Sequence, residues 1–136
     1  MKVLIDTSAF VALFVDKETY HKKVAKKYND YRQQRAILFT SYYVLDELFT
    51  RLLYYKEINT KKHIRILKDS IAANELTVMQ IDEAIFQKSL EIFLKFSEHK
   101  ISFTDATTYT LYKDFAIDEI FTLDSDFKKM RINTSF

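Results

Sequence analysis

Three aspartates in this 136-residue chain stand where a carboxylate can do chemistry. Asp6 follows directly on Val3, Leu4 and Ile5, a short, partly β-branched apolar run suited to a strand buried on both faces. Asp124 follows a second such run, with Asp126 two residues on, and Asp105 lies in the first turn of a helix feeding that run. In open α/β sheets ligands bind at the carboxyl ends of parallel strands, so acids placed there face a crevice and not bulk water. Neighbouring strands lie about 4.8 Å apart. Carboxylates that close repel, and one stays protonated unless a cation sits between them. Neither acidic stretch contains a lysine or arginine, so the natural counter-ion is a hard divalent metal, Mg²⁺ or Mn²⁺, held by oxygen alone. His21, His63 and His99 form no HxxxH or HxH pair, which argues against zinc. Each acid also has a plainer use: Asp6, Thr7 or Ser8 as a helix cap, Asp105 as a helix-dipole partner, Asp124 as a turn former.

Such a site needs a scaffold that gathers distant stretches, and the hydrophobic pattern supplies one. Apolar runs at 3–5, 36–40, 76–81 and 117–123 predict four buried strands. Between them the apolar positions recur at helical spacing. Residues 9–15 predict a short buried helix, and Tyr20, Val24, Tyr28 and Tyr31 an amphipathic helix over 19–34. After a cap at Thr40 or Ser41, an inward stripe of Val44, Leu45, Leu48, Leu52 and Leu53 predicts a helix over 42–55. Asn59 or Thr60 opens the next, with Ile64, Leu67 and Ile71 inward and Lys61, Lys62, Arg65 and Lys68 outward. A helix over 82–98 carries Ile85, Phe86, Leu90, Phe93 and Leu94, and Ser102 or Thr104 caps the helix containing Asp105. Residues 130–135 predict a short edge strand. Alternating strand and helix implies one α/β domain over 1–136, its mainly parallel sheet covered on both faces.

Composition narrows the classes further. With 48% hydrophobic and 29% charged residues the chain reads as globular. It has no cysteine, which excludes disulfides and thiolate metal sites and fits a reducing cytoplasm. Asp6 and Asp16 interrupt the apolar N-terminal stretch, so neither a signal peptide nor a membrane span is expected, and the expected location is cytoplasmic. A net charge of +2 is too mild to announce nucleic-acid binding by bulk electrostatics. Glycine and proline are both absent, which rules out every Gly-rich phosphate loop and leaves turns to Asn, Asp, Ser and Lys.

The stretches LIDTSAFVALF, TSYYVLDELFTRL, ISFTDATTYTLYK and EIFTLDSDF, in that order and at those separations, resemble the motifs of PIN-domain ribonucleases, in particular the toxins of VapBC-type toxin–antitoxin systems. The likeness covers nearly the whole chain, and SFTDA and TLDSDF are its most specific parts. It implies a PIN-like three-layer α/β/α sandwich with a four- to five-stranded sheet in the order 3-2-1-4-5. It also implies that Asp6, Glu47, Asp105 and Asp124 are the catalytic, metal-holding acids, with Asp126 a possible further ligand. Thr7, Ser8 and Thr122 fall on the family's supporting hydroxyls, and Asp46 is expected to face solvent. The missing glycine departs from most relatives but touches no acidic position.

The chemistry this implies is metal-assisted hydrolysis of an RNA phosphodiester with Mg²⁺ or Mn²⁺. Lys22, Lys23, Lys26, Lys27, Lys128, Lys129 and Arg131 are candidates for holding the RNA backbone, and Tyr42 and Tyr43 either stack on a base or, as the favoured reading, pack into the core. The resemblance further implies a cognate antitoxin covering the crevice with an inserted basic side chain, and a homodimer; from the N-terminal pattern no membrane partner is expected. Two alternatives keep the fold: a PIN nuclease of RNA processing without an antitoxin, and a catalytically inert PIN-fold binding module. Phosphoryl transfer through an aspartyl intermediate wants an acid two residues after the first, where this chain has Ser8.

Overall fold

The computed structural model describes all 136 residues. Its strands β1 (Lys2–Ile5), β2 (Ile37–Ser41), β3 (Thr77–Met79) and β4 (Glu119–Phe121) form one parallel sheet in the order β3-β2-β1-β4. The helices are α1 (Thr7–Phe14), α2 (His21–Gln33), α3 (Tyr42–Leu52), α4 (Thr60–Ala72), α5 (Glu83–Lys95), α6 (Phe103–Asp114) and α7 (Asp126–Lys129), with a 3₁₀ turn at Ser97–His99. The central strand alternates between two cores. Val3 and Ile5 enter one with Phe10, Val24, Leu48 and Phe121, while Leu4 enters the other with Ala106, Leu111, Ile120 and Phe127. All three β1 side chains are essentially buried, and each such burial contributes roughly 1.5–3 kcal/mol. The parallel sheet covered on both faces that strand–helix alternation predicts is therefore present, with β1 inside it between β2 and β4.

The differences from the sequence reading have physical causes. The edge strand expected over 130–135 shrinks to one parallel bridge, Ile120 to Thr134, flanked by hydrogen bonds from Ile120 N–H to Asn133 O (2.9 Å) and from Ser135 N–H to Ile120 O (3.0 Å). On α5 the buried stripe is Ile85, Ser89 and the partly buried Ile92, whereas Leu90, Phe93 and Leu94 are exposed. The polar member hides that stripe from a hydrophobic pattern: Ser89 Oγ donates to Ile85 O at 2.7 Å and shares a 2.9 Å hydrogen bond with Thr110 Oγ1 of α6. On α4 only Leu67 is buried, and Ile71 lies exposed on the outer side. Leu53 falls past the end of α3, also exposed.

A chain without glycine still has to end its helices. Arg35, Asn74, Lys100, Ala116 and Arg131 all take left-handed φ, between 52° and 60°. Four helix ends close with a backbone bond across five residues, Ala36 to Tyr31, Glu75 to Ser70, Ile117 to Tyr112 and Ile132 to Phe127. Asn74 and Lys100 match the expected turn types, while two arginines and an alanine do not. For these residues the left-handed conformation costs about 1–2 kcal/mol each, which the closing bonds help to offset.

Candidate active site

Parallel pairing of β1 with β4 sets Ile5 opposite Phe121, so the next residues, Asp6 and Thr122, leave the sheet side by side. Asp6 N–H donates to Phe121 O at 3.0 Å. Asp6 occupies the N-cap position of α1, yet its carboxylate makes no side-chain capping bond. It is instead held from the neighbouring strand: Thr122 Oγ1 donates to Asp6 Oδ2 at 2.8 Å, and Ser8 Oγ to the same oxygen at 3.3 Å. The two hydroxyls lie 3.1 Å apart, and they accept from Leu123 N–H (2.9 Å, to Ser8) and Asp124 N–H (3.0 Å, to Thr122). A closed set of hydroxyls thus fixes Asp6 and the chain leading to Asp124 together.

Asp105 arrives from α6. Ser102 caps that helix by accepting from Asp105 N–H at 3.0 Å, and Asp105 Oδ2 accepts in return from Ser102 N–H at 3.2 Å, which completes a capping box. Asp124 Oδ1 accepts from Asp126 N–H at 2.9 Å, so this acid also shapes its own turn. Glu47 is half-buried on α3 beside an exposed Asp46, as neighbours about 100° apart on a helix must be.

These acids feel one another. Burial pushes the Asp6 carboxyl up from its ordinary 3.8 to about 6, opposed by the Thr122 hydroxyl and the Thr7 N–H and reinforced by the charges of Glu47 and Asp124. Asp105 rises to about 7, first through burial and then through the charge of Asp6, with Ser102 opposing and Asp124 and Glu47 adding. No lysine, arginine or histidine forms an ion pair with either group. Glu47 and Asp124 thus act on both buried carboxyls, and Asp6 on Asp105, so the four acids share one electrostatic neighbourhood. No three acidic or histidine side chains converge closely enough to make a ready-formed ion cage. The donors nonetheless suit a hard cation: they are all oxygen, they are partly desolvated, and a positive charge is what the raised Asp6 and Asp105 carboxyls lack.

The remaining expected residues divide. Asp126 Oδ1 pairs with Lys129 at 3.0 Å, Lys26 with Asp30 at 3.4 Å, and Lys27 with Glu119 at 3.8 Å, so these charges are spoken for. Lys22, Lys23, Lys128 and Arg131 are exposed and form no ion pair with this chain's acids. Thr7 is buried with its hydroxyl unpartnered, as is Thr108 one turn beyond Asp105. Tyr43 packs toward Phe103 (6.3 Å between centroids), whereas Tyr42 is 51% exposed and not the core residue favoured for it. Sequence reasoning saw Ser102 only as a cap. The S-x-x-D spacing that marks a capping box is the signal that could have tied it to Asp105. Tyr20 and Phe136, which border Asp124 with Lys23 and Lys128, were missed and carry no local motif.

The PIN domain family model matches residues 3–133. No curated protein matches the chain by sequence. Among solved structures it is similar to Mycobacterium tuberculosis VapC20, described as a sarcin–ricin loop cleaving toxin, with a TM-score of 0.81, 19% identity, and 96% of this chain and 95% of that one covered. It is also similar to VapBC2 from Rickettsia felis, determined bound to a DNA fragment from its promoter (TM-score 0.70, 14% identity, 99% and 98% covered). A third neighbour is PAE2754 from Pyrobaculum aerophilum (TM-score 0.56, 18% identity, 91% and 83% covered). No helix of the chain is long and apolar enough to cross a membrane.

Proposed function

Because this chain belongs to the PIN-domain family, we infer that it is a metal-dependent endoribonuclease, the toxin of a VapBC-type pair working in the cytoplasm. The observation that carries this reading is the buried pair Asp6 and Asp105, each pushed toward neutrality by burial and by other acids, with no basic side chain to relieve them. Asp6, Asp105 and Asp124, with Glu47 beside them, would hold Mg²⁺ or Mn²⁺. Such an ion lowers the pKa of a bound water and offsets charge on the phosphodiester oxygens. Thr122 and Ser8 orient the Asp6 carboxylate, and their other hydrogen bonds keep them from turning away. Ser102 does the same for Asp105. Unpaired Lys22, Lys23, Lys128 and Arg131 supply positive charge for an RNA backbone. The toxin reading brings with it a cognate antitoxin and a homodimer, in keeping with the VapBC neighbours.

Incubating the purified protein with a mixed RNA pool in Mg²⁺, Mn²⁺ or EDTA and sequencing the new ends tests this. New ends in Mn²⁺ that vanish in EDTA and in Asp6→Asn are the expected result. An RNA pool left intact under every metal, by a protein that still binds RNA, would leave a PIN-fold binding module as the reading.

A further inference from the structure

Beside Asp124 the surface opens into a cavity of about 250 Å³, bordered by Tyr20, Lys23, Ser125, Lys128 and Phe136. It is continuous with the acid cluster, because Asp124 and Thr122 form one of its walls. Two ammonium groups reach it, and neither is ion-paired with an acid of this chain. Lys23 Nζ rests 4.3 Å from the ring centroid of Phe136 and 5.8 Å from that of Tyr20. Aromatic faces hold a cation in place without neutralising it, so this charge is positioned and still available. Phe136 is itself steadied against Phe121, at 6.2 Å between centroids. Tyr20 is 52% exposed, which leaves much of its side chain open to solvent beside that charge. Fixed positive charge next to an open aromatic side chain is what a flexible nucleotide strand needs, a point for phosphate and a plane for a base. A folded duplex would present no free base to the ring, so the arrangement selects single strands.

We propose that this cavity seats one nucleotide of single-stranded RNA next to the phosphodiester being cut, its phosphate held by Lys23 and Lys128 and its base laid against Tyr20. The seat rests on the nuclease reading for the word "cut" and on nothing else in it. Its use is registration: a strand anchored here is stopped with the adjoining phosphodiester over Asp6, Asp105 and Asp124.

Fluorescence anisotropy of a labelled eight-nucleotide RNA of mixed sequence, in EDTA between 50 and 200 mM KCl, tests the seat without catalysis. Lys23→Gln combined with Lys128→Gln is expected to weaken binding about tenfold or more and to flatten the salt dependence by roughly 1.4 log units per log unit, about 0.7 for each lost phosphate contact. Tyr20→Leu is expected to weaken binding about tenfold with the salt dependence unchanged. Lys23→Arg with Lys128→Arg should restore most of the loss, which a merely structural role would not predict, and Lys68→Gln on α4 should leave binding as it was. Unchanged affinity and salt slope in the double glutamine variant, with an unchanged melting temperature, would overturn the seat. Cleavage in Mn²⁺ separates the two readings. If both proteins cut RNA with the same KM, the seat is wrong and the nuclease stands. If RNA is bound through Lys23 and Lys128 but never cut, the seat stands and the nuclease is wrong.

Discussion

Two regions of this protein hold titratable side chains whose pKa burial displaces, and the one with the larger cleft is the quieter. That cleft measures about 630 Å³ and lies where the end of α1 meets the segment leading into α4. His63 stacks there on Phe14, 4.5 Å between centroids and 19° between planes. Burial first, and the nearby charge of Lys62 second, lower the imidazole pKa, and its Nδ1 has no hydrogen-bond partner. Lys17 and Glu57 at the rim have opposite signs and pair with each other. In the acid cluster the charges share one sign and reinforce the rise that burial gives Asp6 and Asp105. The His63 cleft is lined by charges of both signs, whereas the acid cluster holds one sign only. Volume and unrelieved like charge therefore point to different places in this protein, and the proposed chemistry is assigned to the second.

The sharpest way to break this contrast is to remove one charge from each side. Asp105→Asn should reduce RNA cleavage by about 10³-fold or more while the protein in EDTA melts at or above the wild-type temperature. His63→Phe should leave cleavage within about threefold. Equal losses in the two variants would mean that the acid cluster has no special claim. The second effect is ionic. At free Mn²⁺ near 100 times its dissociation constant the wild type should gain about 2.7 kcal/mol of stability. Scanning calorimetry should find most of that gain absent from Asp105→Asn and intact in His63→Phe.

Proton binding gives a third test. The unfolded carboxyls titrate near 3.8 and the folded ones near 6 for Asp6 and near 7 for Asp105, so between those values the folded state holds protons that the unfolded state has released. Stability in EDTA is therefore highest below about pH 4 as far as these groups go. It falls as the pH climbs through about 6 and 7, by an amount on the order of a few kcal/mol. Saturating Mn²⁺ should flatten that fall. Denaturation midpoints across pH 4 to 8, with and without the ion, give both curves.

Much of this was readable from residue types, and the unread part has a common cause. A buried apolar run followed at once by an acid is visible in Val3, Leu4, Ile5 and Asp6, because a strand covered on both faces tolerates nothing else. The like-charge argument needed only that β1 and β4 be neighbours, which they are. What escaped was polar residues doing interior work. Ser89 sits on the buried stripe of α5, and His63 packs beside the only buried residue of α4, so a hydrophobic period turned α5 and overestimated what α4 buries. Tyr20 and Lys23 are neighbours at i,i+3 at the start of α2, but Phe136 meets Lys23 only through the fold, from the other end of the chain, and no local spacing announces that meeting.

A smaller perturbation keeps every charge and alters only how one is held. Thr122→Val removes the 2.8 Å donor to Asp6 Oδ2 and the acceptor of Asp124 N–H while conserving shape. The hydroxyl lowers the Asp6 pKa, so its loss should raise it further. Metal affinity or cleavage is expected to fall about tenfold or more. The fall should lessen as the pH rises, when Asp6 ionises without help. A pH–rate profile parallel to the wild type would mean that the hydroxyl serves packing alone.

The faintest expected signal comes from the His63 cleft and has the opposite sign. His63 is depressed below its ordinary value, so the stability it contributes is present above pH 6.5 and lost as the pH falls, whereas the acid pair lowers stability as the pH rises. Asp16 raises the imidazole pKa and Lys62 lowers it, and the ring is partly open to solvent, so the whole limb should stay under about 1 kcal/mol. In His63→Phe the acid-side decline should disappear and the alkaline decline remain. Asp105→Asn should do the reverse, losing most of the alkaline decline and keeping the other. Two variants that each erase one limb would mean that the two regions titrate independently. A single variant that erases both would mean that α1, which ends at Phe14 and has Asp6 at its N-cap, transmits charge between them.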